Sequence, residues 1–384
     1  MNKKYLVLLV AVVAFGYLAF QEIKDSPGAL SVPVVGKVVP KAKLKTPDYY
    51  VNPEGNDEND GRTSAKPFKT IQKAIDTAQP GEVILLEKGV YLQNFISRRN
   101  GAPDKPILVE GTREAIVKGG DEGNRVIEIN HDYIILQGFT VDGLRGPPDK
   151  KESYKDKLIY ALGIENRNGV NGLKITGMEI KNAGGECVRL RYFAQKNEIF
   201  SNTIKNCGAY DFKFSDGEEG KNGEGIYVGT APEQTKDGKN ETKDRDESNG
   251  NWIHDNTIDT QGNECVDIKE SSSGNIVENN KCTGQKDPQS AGIDARGSAN
   301  IIRKNEIYGN VGAGVRLGGD KDSDGIDNVV VENIIRNNEG GGIKLEQFPQ
   351  GELCRNTFQN NGKDDLVGEY TNDEEVQSVL DKCK

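Results

Sequence analysis

The hexapeptide Glu264-Cys-Val-Asp-Ile-Lys269 sets two carboxylates and an amine within six residues, and Arg296 and Arg316 end or occupy two later copies of the same pattern. The copies read Glu186-Cys-Val-Arg-Leu-Arg191, Glu224-Gly-Ile-Tyr-Val-Gly229, Ala291-Gly-Ile-Asp-Ala-Arg296, Ala313-Gly-Val-Arg-Leu-Gly318 and Gly341-Gly-Ile-Lys-Leu-Glu346. Their third and fifth places are always aliphatic or Ala, and their fourth and sixth are mostly polar. That alternation marks a strand with one buried face. Stacked in register, the first places align Glu186, Glu224 and Glu264. The fourth places align Arg189, Tyr227, Asp267, Asp294, Arg316 and Lys344. The sixth bring in Arg191, Lys269 and Arg296. Long cations beside packed carboxylates suit a polyanionic sugar, with Ca2+ bridging acid to acid. The chemistry this predicts is β-elimination on a uronic acid. Charge on the substrate carboxylate must be neutralised to stabilise the enolate-like intermediate, and a neutral base must take the C5 proton. Lys269 is the expected base, with its proton affinity lowered by Arg296 and by any bound Ca2+. Glu224, Glu264 and Asp267 are the expected oxygen ligands for that hard cation. Arg189, Arg191, Tyr227, Asp294, Arg316 and Lys344 are expected to bind substrate. The competing reading of the same face is a ladder of ion pairs that only stabilises the stack.

What positions such a face is a repeat. Gly177-Met-Glu-Ile180, Asn202-Thr-Ile204, Asn256-Thr-Ile258, Asn305-Glu-Ile307, Asn333-Ile-Ile335 and Asn356-Thr-Phe358 recur, with Asn280-Lys-Cys282 as a weaker copy. The interval of 54 between Asn202 and Asn256 reads as two repeats plus a few residues, with a polar insertion between them. Two or three short strands per repeat, with Gly and Asn at the corners, specify an all-β fold, the right-handed parallel β-helix. One coil cannot bury its own apolar face, and stacking on its neighbours does so. Asn residues at equivalent corners are expected to form amide ladders. A thin core column also accounts for 34% hydrophobic residues beside 46 Gly. The open ends need covers. Residues 67–78 place Ile71, Ala74, Ile75 and Ala78 on one helical face and predict an N-terminal cap helix. Asn372 with Glu375, followed by Val376, Val379, Leu380 and Cys383, predicts a C-terminal one.

Lys3 and Lys4 precede an apolar run from Tyr5 to Phe20, so residues 1–23 read as a secretory signal or an uncleaved signal anchor. Residues 24–47, with Pro27, Pro33, Pro40 and Pro47, read as a linker. Residues 48–384 read as a single β-helix domain, expected to be monomeric and to lie outside the cytoplasm (secreted, periplasmic or at the cell surface). A membrane is a partner only through that anchor. The net charge of −10 argues against nucleic acid. Two His in the whole chain exclude poly-His metal centres, and no Cys-x-x-Cys pair exists. Among six Cys, Cys354 with Cys383 is the expected disulfide. Cys187 and Cys265 share a column two coils apart, too far to bridge, and read as small core residues. Cys207 and Cys282 fit no shared column. Six buried free thiols stay open as the alternative. His131 reads as a coil corner, and His254 as lying on a different face from Lys269. Trp252 reads equally as core or sugar platform. Asp57, Asn59 and Asp60 read as an Asx-rich turn rather than a calcium loop. The charged segment 230–250 reads either as a groove wall or as a solvated excursion.

Tyr49-Tyr-Val-Asn-Pro-Glu-Gly55 through Pro80-Gly-Glu-Val-Ile-Leu-Leu-Glu-Lys-Gly-Val-Tyr91 resembles the N-terminal cap and first coil of the pectate-lyase-like β-helix superfamily. Glu264-Cys-Val-Asp-Ile-Lys-Glu-Ser-Ser272, Gly292-Ile-Asp-Ala-Arg-Gly297 and Gly312-Ala-Gly-Val-Arg-Leu-Gly-Gly-Asp320 resemble the alginate lyase and chondroitinase B family. That resemblance implies Glu264 as a calcium ligand, Lys269 as base, Arg296 as acid and Arg316 as a substrate-binding residue. It also implies an acidic polysaccharide partner of the alginate, pectate or glycosaminoglycan kind. The sequence departs from the family at three places. Gly262 stands where a second acidic ligand belongs, Gly297 follows Arg296 in place of His, and Lys321 replaces another His. Glu224 is the expected substitute ligand. A polygalacturonase-like hydrolase and a non-catalytic polysaccharide-binding β-helix are the competing functions. The hydrolase lacks its Gly-His-Gly here, and the Asp-Pro-His of mannuronan epimerases is absent as well.

Overall fold

A computed structural model describes residues 46–165, 167–215, 222–321, 323–371 and 376. The chain divides into two units, Met1–Leu44 and Lys45–Lys384. The expected signal or anchor and nearly all of the expected linker lie outside the described residues.

From Tyr49 onward the chain visits three sheets in rotation, and each sheet holds ten strands among the described residues. The first runs from Tyr49–Val51 to Val329–Val331, the second from Gly89–Tyr91 to Thr357–Gln359, and the third from Phe95–Ile96 to Leu366–Gly368. All pairings between strands are parallel, as in Ile199 with Ile253, Ile204 with Ile258 and Val188 with Ile226. This is the expected parallel β-helix. Inward-facing Ile, Val and Leu from the three walls meet in one continuous core. Coils earlier than the first hexapeptide, through Arg125–Ile129 and Lys157–Leu162, join the same third sheet with Arg125 and Lys157, not Glu, at the first place.

Sharp corners hold the coils in register. Ser201, Asp255, Asn279, Lys304, Glu332 and Arg355 all take φ between 54° and 59°, in the left-handed region. Each precedes an Asn of a buried ladder. Asn202, Asn256, Asn280, Asn305, Asn333 and Asn356 pass amide hydrogen bonds of 2.9–3.0 Å from one coil to the next. From Asn256 onward their carboxamide oxygens also accept from the backbone N–H of the Asn one coil below, as Asn280 does from Asn256, while Asn202 accepts from Met178. A second ladder runs through Asn197, Asn251, Asn275 and Asn300. Buried backbone groups at the corners are thereby satisfied, which offsets the cost of the left-handed turns.

Three expectations need correction. The interval from Asn202 to Asn256 is one coil, because the two amides bond directly. The excess is taken up by excursions, one containing the helix Ala209–Phe212 and one between Val228 and Trp252. The N-terminal cap helix, α1, spans Ile71–Thr77 and buries Ile71, Ala74 and Ile75. It starts later than residue 67 because Asp57 accepts from the Lys69 and Thr70 N–H groups and from the Thr70 hydroxyl, while Thr70 caps Lys73. Cys187–Cys207 and Cys265–Cys282 are disulfides. A search for partners within one column misses them, because inward side chains of different walls meet across the thin core. No cysteine among the described residues is free. Cys354 is disulfide-bonded, while Cys383 lies outside the described residues. Of the expected C-terminal cap helix only Val376 is described, as a helical and buried residue. No helix among the described residues is long and apolar enough to cross a membrane.

Candidate active site

The alternation of the hexapeptides turns their fourth places to the outside of the third sheet. The register is continuous from Arg189 to Tyr227, Asp267, Asp294, Arg316 and Lys344. Four of these, Tyr227, Asp267, Asp294 and Arg316, form the floor of a cleft of about 320 Å³. Lys269 and Arg296 line it from the sixth-place column, and Glu224 and Glu264 from the first. Asn222, Glu233, Gln234, Asn263, Asp287, Gln289 and Ser290 complete the walls. The expected catalytic pair and the three expected metal ligands therefore share one surface.

Glu224, Glu264 and Asp267 are all buried, and each offers a carboxylate oxygen within 4.8 Å of the others. Glu264 Oε2 and Asp267 Oδ1 are buried without a hydrogen-bond partner. Orphaned carboxylate oxygens converging at this range are the donor set a hard cation takes, so the residues fit Ca2+. Burial, with the charges of Glu186 and Asp267, pushes Glu224 up to about 7. Burial, with Asp267 and Asp294, pushes Glu264 well above the ordinary range. Ser290 Oγ donates to Glu264 and lies 3.3 Å from Asp294 Oδ2.

Lys269 Nζ lies 2.8 Å from Asp267 Oδ2 and 4.8 Å from the centroid of the Tyr227 ring. Burial and Arg296 work against its charge, but Asp267 outweighs them and holds the ammonium well above its ordinary range. The expected lowering by Arg296 is thus present but overridden while Asp267 stays on the ammonium. Arg296 is bound by Glu270 at 2.5 Å and by Asp320. Burial opposes its charge, yet Glu270 and Asp267 raise its proton affinity, so it is a fixed cation rather than a proton donor. Arg316 Nη1 lies 3.2 Å from Asp294 Oδ2.

Three expected substrate-binding residues, Arg189, Arg191 and Lys344, do not line the cleft. Arg189 is bound by Glu186 at 2.7 Å and by Gln234 at 2.9 Å, and its guanidinium lies 3.6 Å from the Tyr227 ring centroid. Arg191 is bound by Asn240 and Asp237 at 2.5 and 2.7 Å. The 230–250 excursion thus covers both and, through Glu233 and Gln234, walls the cleft. Although burial opposes its charge, Glu186 is held down to about 2 by Lys157 and Arg189. Lys344 lies one coil beyond Arg316, where it bonds Glu346 at 2.7 Å and the Gln289 carbonyl at 3.2 Å. The departures from the family motif have a steric reason at two places. A Cβ on Gly262 would sit 2.3 Å from the Cys207 carbonyl, and one on Gly297 2.0 Å from that of Ser272. The sequence reading missed Glu270, Ser290, Gln234 and Asp320. Glu270 and Ser290 flank the hexapeptides, outside the alternating places. Gln234 and Asp320 lie on excursions, where periodicity gives no signal.

His131 bonds Ser97 at 2.8 Å. His254 stands on the first sheet, between Asp255 and Glu198, and stacks on the half-exposed Trp252 and on Phe200. Neither His takes part in the cleft.

Residues 160–374 match the family described as right handed beta helix region. An uncharacterized protein of Bacillus subtilis, YwoF, is 26% identical over 223 residues, which are 53% of this chain and 43% of that protein. The chain thus spans less than half of that relative's length. Among solved structures, an alginate lyase from Paenibacillus is 21% identical with TM-score 0.61, over 78% of this chain and 95% of that one. Pectate lyase Pel9A is 15% identical with TM-score 0.56, over 83% and 78%. A polygalacturonase from Erwinia carotovora is 14% identical with TM-score 0.54, over 91% and 99%. At these identities the likeness is one of fold.

Proposed function

The chain belongs to the right-handed beta helix family, and from that premise we propose that it cleaves a uronate-containing polysaccharide by Ca2+-assisted β-elimination outside the cytoplasm. The observation that carries this reading is the convergence of Lys269, Arg296 and Arg316 with the carboxylates of Glu224, Glu264 and Asp267 in one cleft. Held by those three carboxylates, Ca2+ would supply positive charge against the substrate carboxylate. Arg296 and Arg316, fixed by Glu270 and Asp294, add charge at the same surface. Lys269 removes the C5 proton. The C5–H and C4–O bonds break, a C4–C5 double bond forms, and the leaving glycosidic oxygen takes back the proton from the Lys269 ammonium. No water is consumed. For Lys269 to serve as base, Asp267 must be drawn off its ammonium; burial and Arg296 then favour the neutral amine. A cation on the unpaired Asp267 Oδ1 would draw charge from the Oδ2 that holds the ammonium, which links metal binding to base strength.

Alginate, pectate and glycosaminoglycans, each incubated with the protein and Ca2+, provide the test. Elimination yields the ultraviolet absorbance of a conjugated unsaturated uronate, and the reading predicts it with at least one of these polymers. New reducing ends without that absorbance would mean hydrolysis. Binding with neither signal would mean a polysaccharide-binding protein.

A further inference from the structure

The cleft floor is part of a column that the fold continues in both directions, but only one direction is open. Toward the C-terminal end Arg316 pairs with Lys344 and Lys344 with Val367, and the Lys344 side chain is 29% exposed. Toward the N-terminal end the column continues through Arg189 and Tyr160, which are 3% and 2% exposed. The excursion 230–250 covers Arg189, and the Arg125 guanidinium lies 3.8 Å from the Tyr160 ring centroid. Gln234 Oε1 accepts from Arg189, and the Gln234 carbonyl and Asp237 accept from Arg191 at 3.2 and 2.7 Å. Gln234 and its neighbour Glu233 also line the cleft, so one segment both roofs the column and closes the cleft's end.

That segment is tied down on both flanks. Asp246 accepts from the Tyr192 and Phe193 N–H groups at 2.6 and 2.7 Å and from the Thr230 hydroxyl at 2.6 Å. Arg245 reaches across to Ser271 and Asp324 at 2.6 and 2.8 Å. Cations that would extend a polyanion site along the solenoid are instead spent on anchoring this wall. A polymer lying along the column cannot run past Gln234.

We infer that the protein engages its acidic polysaccharide at a chain terminus, which abuts Glu233 and Gln234 while the rest of the chain leaves past Arg316 and Lys344. This rests on the lyase reading and makes the lyase exolytic: each elimination releases a short unsaturated product from the end.

Chains of graded length, supplied at equal mass, test it. An end-acting enzyme is limited by the number of ends, so halving the mean length doubles the initial rate, and viscosity falls slowly while absorbance grows. A rate independent of length with early loss of viscosity would overturn the inference and leave the lyase reading standing. The paired substitution Asp237→Ala with Asn240→Ala removes two of the three acceptors on Arg191 and loosens the wall. It is expected to shift products toward longer oligosaccharides; if that variant does not fold, the wild-type length series decides alone. Should no polymer give absorbance, calorimetric titration with the same chains still decides. End engagement gives one bound protein per chain whatever its length, whereas a number of sites that grows with length would refute it. No binding to any of these chains would refute both readings.

Discussion

Lys269 and Asp267 share an ion pair on the cleft floor, 2.8 Å long, and the proposed chemistry asks that pair to separate. Lys269→Ala is expected to lower turnover by about 10²–10⁴-fold, the usual contribution of a positioned base, while circular dichroism stays unchanged. Full activity in that variant would remove Lys269 as base. A second prediction concerns protons. Burial and like charge raise Glu224 to about 7, above its ordinary 4.5, and raise Glu264 as well. The folded state then binds more protons than the unfolded one over that interval, so stability falls as pH rises from 4.5 through 7. In chelator, the melting temperature should drop across this window. Added Ca2+ should raise it more at pH 8 than at pH 5, because metal and proton compete for the same oxygens. Glu264→Ala should flatten this Ca2+ response. An identical Ca2+ shift at both pH values in the wild-type protein would take the metal out of these carboxylates. At this scale alternation set Lys269 and Arg296 beside Glu224, Glu264 and Asp267, but it also put Arg189, Arg191 and Lys344 on that face, and these do not line the cleft. It did not show that Asp267 would hold the Lys269 proton, since the pairing of neighbouring outward side chains depends on rotamers and burial that no spacing encodes.

At the scale of the elements, ladders and disulfides carry the register that the cleft needs. Asn280 accepts from Asn256 through both its N–H and its side-chain amide, and donates to the Ile253 carbonyl. Asn280→Ala leaves these buried groups unpaired and should cost at least about 2 kcal/mol in urea unfolding. A loss within error would mean that the ladder does not support the stack. Cys265–Cys282 closes a segment with a sequence separation of 17. Replacing both by Ala should cost about 3 kcal/mol, as expected for a loop of that length. The ladder was legible because Asn recurs at one corner of each coil from Asn202 to Asn356. The two cross-core disulfides were not, because their partners come from different walls and share no column. The 54-residue interval misled for a similar reason: excursions lengthen the chain between two corners without adding a coil.

For the whole molecule, the solenoid supplies an extended anionic and cationic face, and the excursions decide which part of it is accessible. Alternation and corner residues gave away the solenoid, since each coil repeats the same physical problem. The excursions repeat nothing, so the burial of Arg189 and Arg191 and the closed end of the cleft came only with the structure. The central claim is that this face eliminates rather than hydrolyses. Digestion in heavy-oxygen water, followed by mass spectrometry of the products, tests it most directly. Elimination predicts unsaturated products that carry no solvent oxygen at the cleaved linkage, formed by the wild type and lost in Lys269→Ala. Saturated products that have gained one heavy oxygen per cleavage would contradict it.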